Sequence, residues 1–285
     1  MKISDISNII TSFRSNSLHT DSEVTLFREL AKTLTAAAAS TVFIDETHGA
    51  QKANVTYSNS QQIQTRCEIS DLLIITRGAT TPHLTATFWQ AKKCKKSDWV
   101  NYNTADAHLD FEAQFNQWEL LSSRPNLTAI PPFSAPSNIL SSFNSPAIAT
   151  YGVFYEKNGQ IEVAHSIAEL IACTKPKKIP KQNTKCIINA FLACYQQNAQ
   201  EVCVKTDMES FLTALLTNRI GAPIDNMLPA HQWLISYAAS KLNFNQETVK
   251  NDFFEGFSVD IDINYEADGL SILFIDARDY PELYV

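Results

Sequence analysis

Two apolar runs separated by a short turn constrain this chain more than any other feature. EISDLLIIT (68–76) and LTATFWQAKK (84–93) flank the turn-forming stretch RGATTPH (77–83), so the two runs are read as antiparallel neighbours across Gly78 to His83. Pairing centred on Thr80 and Thr81 sets Asp71 opposite Gln90, because both are equally far from the turn. Opposed side chains in such a pair stand roughly 5 Å apart on one face. Strand alternation adds Lys92 to the face of Gln90 and turns Ala91 away. The register therefore brings a carboxylate, a carboxamide and an ammonium together at the end of a buried hairpin. A slip of one residue would scatter them.

That set suits a divalent cation with an activated water. Asp71 and the Gln90 oxygen are hard ligands for Mg²⁺ (or Mn²⁺), and the Ala91 carbonyl supplies a third. Lys92 is placed to orient or deprotonate the water, or to stabilise charge on a phosphate. The plain alternatives are a polar strand end at Asp71 and a solvated edge guarded by Lys92. Lys93, Lys95 and Lys96 follow directly, either as phosphate contacts or as a solvated basic loop.

Elsewhere the periodicity predicts a helix over HTDSEVTLFRELAKTLTAAAA (19–39), capped by Thr20, Asp21 or Ser22, with Val24, Phe27, Leu30, Ala31 and Leu34 on one face. STVFID (40–45) reads as a strand, 51–63 as a polar loop or mobile hairpin, and 65–76 as one strand. A helix is expected over DAHLDFEAQFNQWELLSSR (106–124), with Phe111, Phe115, Trp118 and Leu120 or Leu121 as its stripe. A loop at 124–146 follows, then two strands joined by the Asn158-Gly159 turn. The basic stretch 174–185 reads as a linker between domains at 1–173 and 186–285. The second domain is expected to hold helices near 186–198, 205–219 and 227–242, then strands over GFSVDIDINY (256–265) and LSILFIDA (270–277).

Asp71 with Gln90-Ala91-Lys92, on strands that follow an initial helix, resembles the PD-(D/E)xK nuclease superfamily. The likeness is to its variant with glutamine in the motif, as in Mrr-type restriction endonucleases and phage-defence nucleases. The resemblance spans about residues 20–155 and implies an α/β fold, a restriction-endonuclease-like mixed sheet with the core order αβββαβ, followed by a C-terminal α+β domain. It implies a metal-dependent endonuclease acting on double-stranded DNA, in restriction or phage defence. It also implies an additional ligand on the first helix, for which Glu23 fits better than Glu29; Glu68 is a further carboxylate that alternation points to the other face. Glu23 equally suits the helix N-terminus as an acid favoured by the macrodipole. Ser70 stands where the superfamily commonly has proline, and Gln90 removes one negative charge from the metal site. A catalytically inactive nuclease-fold subunit that binds a partner is the alternative.

The net charge of −7 argues against a uniformly basic nucleic-acid binder, but nine of the 23 basic residues lie in 92–96 and 175–185. Nine of the 30 acids lie from Asp252 onward. DNA affinity is therefore expected to come from a partner, an oligomer or the C-terminal domain; a helicase or ATPase subunit and a homo-oligomer are the candidate partners. No apolar run is long enough to span a bilayer and the N-terminus lacks a signal core, which predicts a cytoplasmic protein without membrane contact. The cysteines at 67, 94, 173, 186, 194 and 203 show no zinc spacing and are expected as reduced thiols. DIDINYEADG lacks the glycine and the closing glutamate of an EF-hand, and no Walker, GxGxxG or GxSxG motif is present.

Overall fold

A computed structural model describes residues 3–38, 40–46, 53–78, 83–95, 98–101, 104–176, 183–190, 195–197, 200–202, 204–242, 247–257, 259 and 269–279. It is a mixed α/β structure with six α-helices among those residues. The chain opens with α1 (Ile3–Asn16), which the sequence reading did not expect. It continues with α2 (Glu23–Ala37), β1 (Val42–Ile44), the hairpin β2 (Asn54–Ser58) and β3 (Gln64–Glu68), β4 (Leu72–Arg77) and β5 (Leu84–Lys93). Next come β6 (His108–Gln114), α3 (Phe115–Ser123), β7 (Leu127–Ala129), β8 (Ala149–Lys157), β9 (Gln160–Ile167) and β10 (Ala172–Cys173). The remaining elements are β11 (Asn183–Asn189), β12 (Tyr195–Gln197), β13 (Gln200–Val202), α4 (Met208–Leu216), β14 (Ala222–Pro223), α5 (Pro229–Lys241), α6 (Glu247–Phe253) and β15 (Ser271–Asp276).

The central sheet runs β1-β15-β4-β5-β8-β9, with β14 attached to β5. β15 is parallel to β4 and β5 is parallel to β8, while the other pairs are antiparallel. Alternation along β4 explains why both faces are covered. Leu72 and Ile74 pack beneath α1, α2 and α4 with Ile9, Phe13, Phe27, Leu30 and Phe211. Leu73 and Ile75 face the opposite layer, with Leu120 of α3, Leu234 of α5 and Phe253 of α6. Two smaller sheets, β10-β11-β6 and β3-β2-β7, flank this second layer.

Several expectations are corrected. The helix expected over 106–124 begins as strand β6, because Leu109, Phe111 and Ala113 alternate inward while Glu112 and Gln114 face solvent, and only 115–123 is helical. The helix expected near 186–198 is strand at 183–189, where Thr184, Cys186 and Ile188 alternate inward and pair with β6. The single strand expected over 65–76 is two, broken at Ile69 to Asp71 as the chain leaves β2 for β5 and β15. Of the loop or hairpin expected at 51–63, the structure shows a hairpin, β2–β3, whereas β7 lies within the expected loop at 124–146. Most of the strand expected at 256–265 lies outside the described residues.

The division at 174–185 does not separate the strands either. Residues 183–185 belong to β11, and β15, near the end of the chain, fills the gap between β1 and β4. Cys173 and Cys186, expected as thiols, are direct partners across β10 and β11 and form a disulfide with a Cα–Cα distance of 4.1 Å. Cys67 and Cys94 are buried free thiols, and Cys194 and Cys203 lie outside the described residues. No described helix is long and apolar enough to cross a membrane.

Candidate active site

The β4–β5 register pairs Leu72 with Trp89 and Arg77 with Leu84, so its continuation sets Asp71 against Gln90. The break before β4 is held by Ser70, fully buried, whose hydroxyl donates to the Leu72 carbonyl at 3.3 Å. Gln90 Nε2 donates to Asp71 Oδ2 and, at 3.3 Å, to the Ala91 carbonyl. The Ala91 N–H donates to the same Asp71 oxygen at 2.8 Å. Lys92 Nζ reaches Glu23 Oε2 at 3.3 Å, and the Lys93 N–H donates to Glu23 Oε1 at 3.3 Å. The four residues Glu23, Asp71, Gln90 and Lys92 thus meet at the end of β5.

Glu23 arrives there because Ser22 caps α2, accepting from the Thr25 N–H at 3.1 Å, which fixes Glu23 as the first helical residue. Lys93 Nζ donates to the carbonyls of His19 and Asp21, the latter at 2.7 Å, tying the approach to α2 against β5. Lys95 is paired with Glu112 at 2.7 Å. These two lysines, expected as phosphate contacts, already serve the protein itself, and Lys96 lies outside the described residues. Glu29 is held by Asn16 at 3.0 Å on the exposed side between α1 and α2. Glu68, expected by alternation to point to the other face, closes β3 just before the break at Ile69 to Asp71. Its charge acts on Asp71.

Electrostatics single out Asp71. Its residue surface is only partly covered, yet its carboxyl is densely surrounded, and burial lifts its pKa to about 6. Lys92 opposes that rise most strongly, Glu68 adds to it, the Ala91 N–H lowers it and Glu23 adds a little more. A carboxyl in that position is poised for a stronger electrostatic partner than the protein supplies. Gln90 and Lys92 are 1% and 9% exposed. Gln90 Oε1 is buried without a hydrogen-bond partner in the protein, an acceptor facing no donor.

Among the described residues no group of three His, Cys, Asp or Glu side chains is assembled for a metal ion. The oxygens in this neighbourhood are mixed: the Asp71 carboxylate and the Ala91 carbonyl both accept from Gln90 Nε2, and the orphaned Oε1 is the other end of that carboxamide. Such a set fits a hard cation that retains several waters, as Mg²⁺ does, better than zinc. A cleft of about 460 Å³ is lined by His19, Ser22, Glu23, Lys93, Lys95 and Tyr155 among others, and of the four converging residues it includes only Glu23. A cavity of about 420 Å³ between α1, the β8–β9 turn and α4 contains Arg14, Glu162 and Asp207 but none of the four converging residues.

One residue beside the site escaped the sequence reading. Tyr151 on β8 is the direct register partner of Gln90, fully buried, and its hydroxyl has no protein partner. Its strand was legible, but its place beside Gln90 depends on the parallel β5–β8 pairing between segments far apart in sequence. No protein family, curated protein or solved structure matches the chain.

Proposed function

We propose that the chain is a metal-dependent endonuclease that hydrolyses DNA phosphodiester bonds, with its active site at Glu23, Asp71, Gln90 and Lys92. The observation that carries the reading is the convergence of these four side chains at one strand end through the 71–90 register. The core elements run in the order α2, β1, β4, β5, α3, β8 around the central sheet, with β15 inserted between β1 and β4. That order supports a restriction-endonuclease-like core. Double-stranded DNA as substrate, and a role in restriction or phage defence, rest on the resemblance of the Asp71 and Gln90-x-Lys92 pattern.

Asp71, Gln90 Oε1 and the Ala91 carbonyl would hold Mg²⁺ or Mn²⁺, with Glu23 at the rim. The cation, when bound, lowers the pKa of its water and polarises the phosphoryl oxygen. The protein's own contribution is positional. The Ala91 N–H and Gln90 Nε2 hold Asp71 Oδ2, which fixes the carboxylate plane. Glu23 fixes Lys92 Nζ beside them, where an ammonium orients the attacking water and faces the negative charge that develops on the phosphoryl group.

The alternative is a nuclease-fold subunit without catalysis, which binds a partner. It is favoured by the engagement of Lys93 and Lys95 within the protein, which leaves fewer free cations for phosphate beside the site among the described residues. Plasmid cleavage with Mg²⁺ or Mn²⁺ separates the two. Lys92→Ala and Asp71→Asn are expected to lower the cleavage rate about a hundredfold or more. Cleavage equal to wild type in both variants sinks the catalytic reading.

A further inference from the structure

Two buried polar atoms beneath the site share one property. Gln90 Oε1 and Tyr151 Oη are both enclosed, on residues 1% and 0% exposed, and neither has a hydrogen-bond partner in the protein. Buried polar groups are rarely left so, because each forfeits its water without compensation. The two lie side by side. Gln90 on β5 and Tyr151 on β8 are direct partners in the parallel register, so their side chains project to the same face from strands roughly 4.8 Å apart. Asp71 at the head of β4 extends the row to three neighbouring strands.

The orphaned groups are chemically complementary. A phenol O–H seeks an acceptor and a carboxamide oxygen seeks a donor. The opposite end of the carboxamide is already committed, since Nε2 donates to Asp71 and to the Ala91 carbonyl. Phe111 packs 5.9 Å from the Tyr151 ring, centroid to centroid, and helps to fix it.

We propose that Tyr151 is a positioning residue whose hydroxyl donates to Gln90 Oε1, directly or through one enclosed water, and so decides which end of the Gln90 carboxamide faces Asp71. Without that donor the carboxamide is free to turn over, and Asp71 would lose one of the two N–H groups that hold its oxygen. With it, Nε2 stays on Asp71, and the second lone pair of Oε1 remains available to a cation. Its consequence for cation binding rests on the endonuclease reading; the Tyr151–Gln90 coupling does not.

A double-mutant cycle tests it. Tyr151→Phe is made in the wild-type protein and in Gln90→Met, and thermal unfolding and Mn²⁺ affinity by calorimetry are measured for all four proteins. An idle buried hydroxyl gives a simple result, because removing an unpaired donor raises the unfolding temperature equally in both backgrounds. A positioning hydroxyl lowers it in the wild type and leaves it unchanged or raised in Gln90→Met. Mn²⁺ affinity is expected to fall about tenfold in Tyr151→Phe, as for other partners of metal ligands, with no further loss on the Gln90→Met background. Equal stability effects in the two backgrounds overturn the proposal. Coupled stability without Mn²⁺ binding by the wild type keeps the Tyr151–Gln90 pair and removes the metal-dependent reading instead. Should a variant fail to fold, NMR of the wild type decides. A slowly exchanging Tyr151 hydroxyl proton with a cross-peak to the Gln90 amide protons supports the pair, and a freely exchanging hydroxyl overturns it.

Discussion

His165 on β9 is buried, stacked on Phe211 of α4 at 5.3 Å, and bridged through its backbone to Lys205. Burial, aided by the Lys205 charge, pushes its pKa down to about 3, against 6.5 for the free side chain. The folded protein therefore holds His165 neutral where the unfolded chain is already protonated. Stability from this residue is complete above about pH 6.5 and declines as pH falls towards 3, at up to about 1.4 kcal/mol per pH unit. Urea unfolding of His165→Gln at pH 7 and pH 4.5 should show a smaller acid-side loss than wild type, on a lower plateau because the ring stack is gone. An identical pH dependence in both would exclude His165 as a source of acid sensitivity. At this same scale the sequence was informative about the site. Asp71, Gln90 and Lys92 were placed together by counting outward from one turn, because a short antiparallel connection leaves little freedom in register. Glu23 was narrower, since only the Ser22 cap decides where α2 starts and hence which acid reaches Lys92.

At the scale of elements, β5 and β8 meet at a point that tolerates no added atom. A Cβ on Gly152 would stand 1.7 Å from Trp89 Cζ2, and Trp89 is itself 1% exposed between α2 and Phe154. Gly152→Ala must displace the indole from a close-packed layer and is expected to destabilise by about 2–3 kcal/mol. Because Trp89 precedes Gln90, the shift reaches the site as well. Adding Trp89→Leu to Gly152→Ala should restore part of that loss in chemical denaturation, whereas purely additive losses would show that the clash is relieved elsewhere. Elements were legible where one period dominated. α2, α4 and α5 and the β8–β9 hairpin followed from helical spacing and from Asn158-Gly159. β6 was misread because Phe111, Phe115 and Trp118 mimic a helical stripe, while Leu109, Phe111 and Ala113 satisfy a strand equally well. The competing signal won once β11 offered a pairing partner.

For the whole molecule, the decisive strand is β15. It hydrogen-bonds to β1 on one side and β4 on the other, with Ile272, Phe274 and Ile275 buried in both layers. A fragment of residues 1–173 would leave β4 and β1 with unpaired edges facing one another across the gap, and would lack the cover of α4 and α5. It is expected to show no cooperative unfolding transition by circular dichroism; a sharp transition would restore the two-domain organisation. The sequence by itself determined the hairpin, its register and so the composition of the candidate site, because these depend on alternation and a short turn within 26 residues, 68–93. Only the tertiary structure decided that β15 enters the central sheet, that Tyr151 lies against Gln90, and that Cys173 faces Cys186. Local patterns specify which face of a strand is apolar, whereas the choice of neighbour is made by the layers that bury it.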